Sequence, residues 1–119
     1  MQTRTNLSVT VSEGADSVTL QANRFETPAG DNWNAAPQSI GTGAWTALDL
    51  GPCASADLVA IKNLDGTNFV QVALDGAGAT IALKLTAGRM NVLSLDASAT
   101  LYLKADTAAV QVLAVIVEP

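Results

Sequence analysis

Residues 57–118 read DLVAIKNLDGTNFVQVALDGAGATIALKLTAGRMNVLSLDASATLYLKADTAAVQVLAVIVE, and this stretch decides the fold. Short runs rich in Val, Leu and Ile are separated by breaks of Gly, Asp, Asn, Ser or Ala. Along several runs apolar and polar residues alternate, as they do when one face of a strand is buried and the other is wet. Ile81, Leu83 and Leu85 oppose Thr80, Ala82 and Lys84 most clearly, so the first three are expected to point inward together. The spacing predicts an all-β antiparallel sandwich of about eight or nine short strands joined by hairpins. Asp65-Gly66 is a strong hairpin signal, because both residues tolerate the positive φ of a tight primed turn. No run has the 3.6-residue period of a helix.

Working outward, residues 58–64 and 110–117 are apolar at both parities. Such strands lie in the middle of a sheet or at a subunit interface. Upstream, AWTALDLG is a further strand, with Trp45 on one side and Thr46, Leu48 and Leu50 on the other. Leu7, Val9 and Val11 alternate with Ser8, Thr10 and Ser12, and Val18, Leu20 and Ala22 repeat the pattern after the turn residues 13–16, which predicts an opening hairpin. Between these regions, residues 23–43 (NRFETPAGDNWNAAPQSIGTG) lose the alternation and read as one long loop. Phe25, Trp33 and Ile40 are its isolated apolar anchors. Loops of that length are uncommon inside a compact domain and are usually functional, so these three residues are the expected partner contacts. A single sandwich domain over 1–119, with the long loop at 23–43, is the expected organisation.

Composition narrows the function. The 119 residues are 49% hydrophobic but only 14% charged and 4% aromatic, against roughly a quarter charged in an average soluble domain. A chain short of charge covers its surface with Ser, Thr, Asn and Gln or hides part of it in an assembly. Strands apolar on both faces need cover on both, so a homo-oligomer is expected, a trimer ahead of a dimer. Net charge is −5, and the six basic residues are Arg4, Arg24, Lys62, Lys84, Arg89 and Lys104, without a cluster. Displacing counterions from nucleic acid needs clustered cations, so no nucleic-acid partner is expected.

The chain has no histidine, which removes His-based nucleophilic catalysis and the commonest zinc and copper ligand. Asp65, Asp75, Asp96 and Asp106 stand at strand ends, where Asp forms turns by bonding its own backbone. A calcium site between Asp65 and Asp75 lacks the dense oxygen spacing of a calcium loop. No glycine motif precedes a helix as a phosphate loop requires. The lone Cys53, after Gly51-Pro52, reads as a half-buried structural thiol. The expectation is a protein without catalytic residues, cofactor or metal. The N-terminal residues lack the apolar core of a signal peptide, and 110–117 is far short of the ~20 residues that span a bilayer, so synthesis in the cytoplasm and no membrane partner are expected.

From Trp45 to Pro119, about two thirds of the chain, the order of segments resembles small virion structural proteins of tailed bacteriophages. The segments are a Trp-containing strand, LVAIKNLDGTNFVQVALD, IALKLTAGRMNVLSL, LYLKAD and a valine-rich strand ending in Glu118. The resemblance implies a jelly-roll-like sandwich in the virion that serves as a capsid cement (decoration) protein, with the major capsid protein or other virion subunits as partners. It carries no catalytic residues. A tail or head–tail component is the alternative within that class. A carbohydrate- or receptor-binding β-sandwich module is the alternative outside it, and it calls for several exposed aromatics where Trp33 is the one clear candidate.

Overall fold

The computed structural model describes residues 2–26, 32–96 and 98–119. Among them every regular element is a strand. The chain divides into two compact units, Met1–Asp31 and Asn32–Pro119; the sandwich expected over 1–119 occupies the second.

The first unit is a hairpin of β1 (Thr3–Glu13) and β2 (Asp16–Glu26), paired without interruption from Thr3↔Glu26 to Glu13↔Asp16. Gly14 has φ 59° and Ala15 is not at positive φ. Those are the φ signs of a type II′ turn, whose twist matches that of its strands.

The second unit holds β3 (Trp33–Ile40), β4 (Thr46–Ala47), β5 (Leu58–Asn63), β6 (Val70–Ala73), β7 (Ile81–Leu85), β8 (Met90–Ser94), β9 (Tyr102–Ala105) and β10 (Val110–Val117). They form two four-stranded antiparallel sheets, β3-β10-β5-β8 and β4-β9-β6-β7. Each sheet interleaves early and late strands, which is the strand order of a jelly roll. Only β6 and β7 are consecutive strands that pair in this unit; every other connection leaves one sheet for the other. The expected chain of hairpins is therefore corrected. Asp65-Gly66 does not join paired strands, and Gly66 is not at positive φ. Instead the Asp65 Oδ1 accepts the N–H groups of Thr67 and Asn68 at 2.7 and 2.6 Å, shaping a loop that carries the chain between sheets.

The long loop expected at 23–43 is also corrected. Residues 23–26 continue β2, and 33–40 form β3; residues 27–31, between them, lie outside the described residues. β3 shows no apolar alternation because its inward positions before Ile40 are Asn34, Ala36 and Gln38, which are small or polar, and because it contains Pro37. An edge strand tolerates Pro, since its outer N–H groups need no ladder partner. β3 is such an edge.

The core lies between the sheets. Val59, Ile61, Val110, Val112, Ala114 and Ile116 meet Val70, Val72, Leu85, Leu101, Leu103 and Ala105, all nearly inaccessible, with Leu48, Cys53 and Ala56 contributed by connecting segments. It is wholly aliphatic apart from Cys53, so each fully buried side chain contributes about 1.5–3 kcal/mol and no ring dominates. Asn63 is the one buried polar side chain among the described residues. Its Nδ2 donates to the carbonyls of Asn68 and Leu85 at 2.8 and 2.9 Å, and its Oδ1 accepts Asp65 N–H at 2.8 Å. One amide thus ties the end of β5 to β7 in the opposite sheet.

The inward trio of β7 is corrected at one position. Leu85 is buried and Leu83 packs against the core, but Ile81 is exposed. A bulge between Val72 and Ala73 sets Ile81 opposite Ala73, one residue out of phase, and turns it to the outer face.

Candidate functional site

The outer face of the β3-β10-β5-β8 sheet is the feature that sequence chemistry and geometry single out. Val59, Ile61, Val112 and Ile116 point into the core, so alternation turns their neighbours outward. Cross-strand register then arranges rows on that outer side: Ala35, Val115, Ala60 and Val92 form one, and Pro37, Leu113, Lys62 and Met90 the next. Trp33 and Leu58 flank Val117 at one end, and Ser39 pairs with Gln111 at the other. Lys62 is the only charged residue at these register positions. Trp33, Met90 and Val115 are 57%, 60% and 37% exposed, whereas Leu58, Ala60, Val92 and Leu113 are half-buried by their neighbours.

The other sheet presents a different exterior. Gln71, Lys84 and Lys104 form its outward row. Lys84 Nζ sits 4.1 Å from the centre of the Phe69 ring and Lys104 Nζ 5.9 Å from that of Trp45. Ammonium groups over rings keep their charge near water while their stems cover the aromatic carbon. The indole of Trp45 is further fixed by Gly78, at φ 70°, where an added Cβ would overlap the indole nitrogen. Three of the aromatic residues, Trp45, Phe69 and Tyr102, are half-buried, and Trp33 alone among the described ones is exposed.

The three expected contact residues do not converge. Trp33 stands at the start of β3 on the outer face. Ile40, seven residues on along the same strand, has the opposite parity; it pairs with Val110 and is 2% exposed in the core, where no partner can reach it. Phe25 is placed by its backbone opposite Arg4 in β2, and its side chain lies outside the described residues. Val115 and Leu113 extend the face beyond Trp33, and their signal is the two-sided apolar character of 58–64 and 110–117, which form the two central strands, β5 and β10. Met90, at the start of the edge strand β8, carries no such signal.

The polar groups are engaged in shaping loops. The Asp75 carboxylate accepts N–H groups of Ala77, Ala79 and Thr80 at 3.0, 2.9 and 2.7 Å. The Ala79 and Thr80 bonds chiefly hold its pKa below the ordinary range, as those from Asn68 and Thr67 do for Asp65. Asp96 is lowered first by the Ser98 hydroxyl and then by the Ser98 N–H. Asp106 Oδ1 is buried without a hydrogen-bond partner, yet no group of three or more His, Cys, Asp or Glu able to hold a metal occurs among the described residues. Cys53 is buried, and burial followed by the Glu118 carboxylate pushes its thiol pKa up. A thiol so placed is a weak nucleophile. An apolar crevice between Leu48, Leu50, Ala56, Leu95 and Leu101 has a volume of about 30 Å³, against roughly 300–1,000 Å³ for small-molecule sites. What this arrangement offers chemically is a largely apolar sheet surface for contact. Comparison of the chain with protein-family models, with curated proteins and with solved structures finds no match.

Proposed function

We propose that the protein is a non-enzymatic structural component of a tailed-phage virion, a capsid cement or decoration protein, and that it attaches to major capsid subunits through the outer face of the β3-β10-β5-β8 sheet. The observation that carries the reading is that face: four strands wide, with a single charged residue, and edged by the exposed Trp33. Strands about 4.8 Å apart and eight residues long in β3 and β10 give it an extent on the order of 400 Å². That is the size of the largest apolar patch on a typical monomeric domain, and such a patch is often functional. A four-stranded apolar face with one large aromatic at its rim suits a protein partner, for which Trp is a typical anchor.

The jelly-roll strand order fits the virion class to which residues 45–119 bear their resemblance, and it equally fits a tail or head–tail component. Stacking on a sugar ring by Trp33 is the rival use. It is less favoured because the residues nearest Trp33 on the face, Val117, Ala35 and Leu58, are aliphatic.

The test is co-sedimentation with purified phage heads lacking the protein. Trp33→Ala is expected to weaken head binding by about 2 kcal/mol or more, and Val115→Asp to abolish it, both with melting temperature nearly unchanged. Undiminished binding by both variants would remove the face from the account. Binding to glycans but not to heads would replace the reading with the carbohydrate module.

A further inference from the structure

Each four-stranded sheet of the sandwich has two edges, and an edge strand offers unpaired N–H and C=O groups to another chain unless something blunts it. Three of these four edges are blunted. β3 contains Pro37, β4 is two residues long, and β7 carries Lys84 and a bulge against β6. β8 has no such device: Met90–Ser94 (MNVLS) holds neither proline nor charge, and its register with β5 is unbroken. The bonds that flank it tell which of its groups face outward. Asn63 N–H donates to the Arg89 carbonyl at 2.9 Å, and Leu95 N–H to the Asp57 carbonyl at 2.7 Å. Residues 89, 91, 93 and 95 therefore bond towards β5, and in an antiparallel ladder the alternate residues bond the other way. The N–H and C=O groups of Met90, Val92 and Ser94 face the side where the sheet has no further strand.

We propose that β8 pairs antiparallel with β8 of a second copy across a two-fold axis at Val92, joining two β3-β10-β5-β8 sheets into one. That register sets Val92 against its own counterpart and Met90 against Ser94 in both directions. All three outward-bonding residues then meet outward-bonding partners, and each pair exchanges two hydrogen bonds. An axis at Asn91 or Leu93 would leave one of the three beyond the end of the partner strand. Charge selects the second copy as occupant. Lys62 and Arg89 stand at the end of the sheet where β8 begins, and Asp57, Asp96 and Glu118 at the end where it finishes. Asp65, past Asn63 at the first end, has its carboxylate engaged by the N–H groups of Thr67 and Asn68. The two-fold brings the basic end of each copy to the acidic end of its mate, twice. It also continues the outer row Ala35, Val115, Ala60 and Val92 into the same row of the mate. The contact is isologous, so it closes as a dimer and does not propagate. This departs from the trimer expected from the sequence.

Two five-residue edges bury less than the ~1,200 Å² that marks the low end of specific interfaces. The pair is therefore reversible on dilution.

Sedimentation equilibrium of the full chain from about 10 to about 500 μM is expected to show a mass rising from 12.2 kDa towards twice that value. Val92→Pro removes an N–H that bonds nothing in β5, at a place where an edge strand tolerates proline. It should raise the dissociation constant at least about tenfold through the two bonds lost at the axis. Val92→Lys and Val92→Glu leave the backbone donors in place and set like charges opposite each other across the axis. Each alone should stay monomeric over the range, whereas their equimolar mixture should associate to within about threefold of the parent. Only an axis at residue 92 brings the two unlike charges together, so pairing through any other surface would be indifferent to mixing. This complementation decides the matter even where Val92→Pro fails to fold. A parent chain that stays monomeric throughout overturns the proposal, as does a singly charged variant that dimerises normally or a mixture that does not associate. The proposal is independent of the virion reading: dimers that do not bind heads refute only that reading, and monomers that bind heads refute only the pair.

Discussion

The hairpin of β1 and β2 and the sandwich of β3 to β10 are both built on apolar alternation and meet opposite fates. Val9 and Leu20 are 59% and 71% exposed, while Ile61 and Leu103 are at 0%. Val9 and Leu20 sit on strands whose alternate residues are polar or small, Leu103 alternates with Tyr102 and Lys104, and Ile61 stands on β5, apolar on both faces. The difference lies in what stands across from them. In the sandwich a second sheet faces the first at the ~10 Å spacing that lets side chains interdigitate; the hairpin has only two strands and no second layer in its unit. Alternation tells which residues share a face. Whether that face is covered is decided by strands far away in the chain, or by another molecule.

The contrast is broken most directly by truncating one leucine in each region. Leu103→Ala is expected to cost about 3–5 kcal/mol, because the atoms lost are fully buried and rigid strands cannot close the cavity. Leu20→Ala should lie within about 0.5 kcal/mol of the parent at concentrations where the chain is monomeric. Denaturant unfolding of both variants measures this. A Leu20→Ala loss as large as that of Leu103→Ala would show that the hairpin face is covered within the single chain.

A smaller effect sharpens what holds the two sheets together. Asn63→Leu fills much the same space but removes one acceptor and two donors from a buried site. The carbonyl of Leu85 and the N–H of Asp65 then lose their partners, at about 2–4 kcal/mol in total. The unfolding midpoint reports the cost. A neutral result would mean that water replaces the amide.

How much of this was readable beforehand follows from the same contrast. The all-β class and most strand positions after residue 57 were open to view, because Val, Leu and Ile alternate there under strong turn signals. The pairing of those strands was not. Asp65-Gly66 looks the same whether it closes a hairpin or bridges two sheets, and only the distant partners β10 and β8 claim β5 for the other sheet. β3 was hidden by Pro37 and by inward side chains too small or polar to show periodicity. Once β3 is recognised, parity alone separates Trp33 from Ile40 and would have removed Ile40 from the contact residues. Of the site, Trp33 and the two-sided β5 and β10 could be read; the rows joining them needed the register.

The smallest expected effect concerns acid. Asp65, Asp75 and Asp96 have folded pKa values below the ordinary value of 3.8, because hydrogen bonds within their loops favour the charged carboxylate. When the folded value is the lower one, the unfolded chain binds protons first on acidification. The stabilisation is then complete above the ordinary value and is lost as pH falls through the folded one. Melting temperature should therefore be flat near neutrality and decline below about pH 4. Asp75→Asn keeps an acceptor oxygen but cannot titrate, so it should lower the melting temperature slightly at pH 7 and make the acid decline shallower. All three aspartates belong to the sandwich. Amide exchange followed against pH should show the loops at 75–80 and 65–68 loosening in acid. An Asp75→Asn variant with the parent's acid slope would show that the carboxylate's hydrogen bonds persist, or are matched, in the unfolded chain.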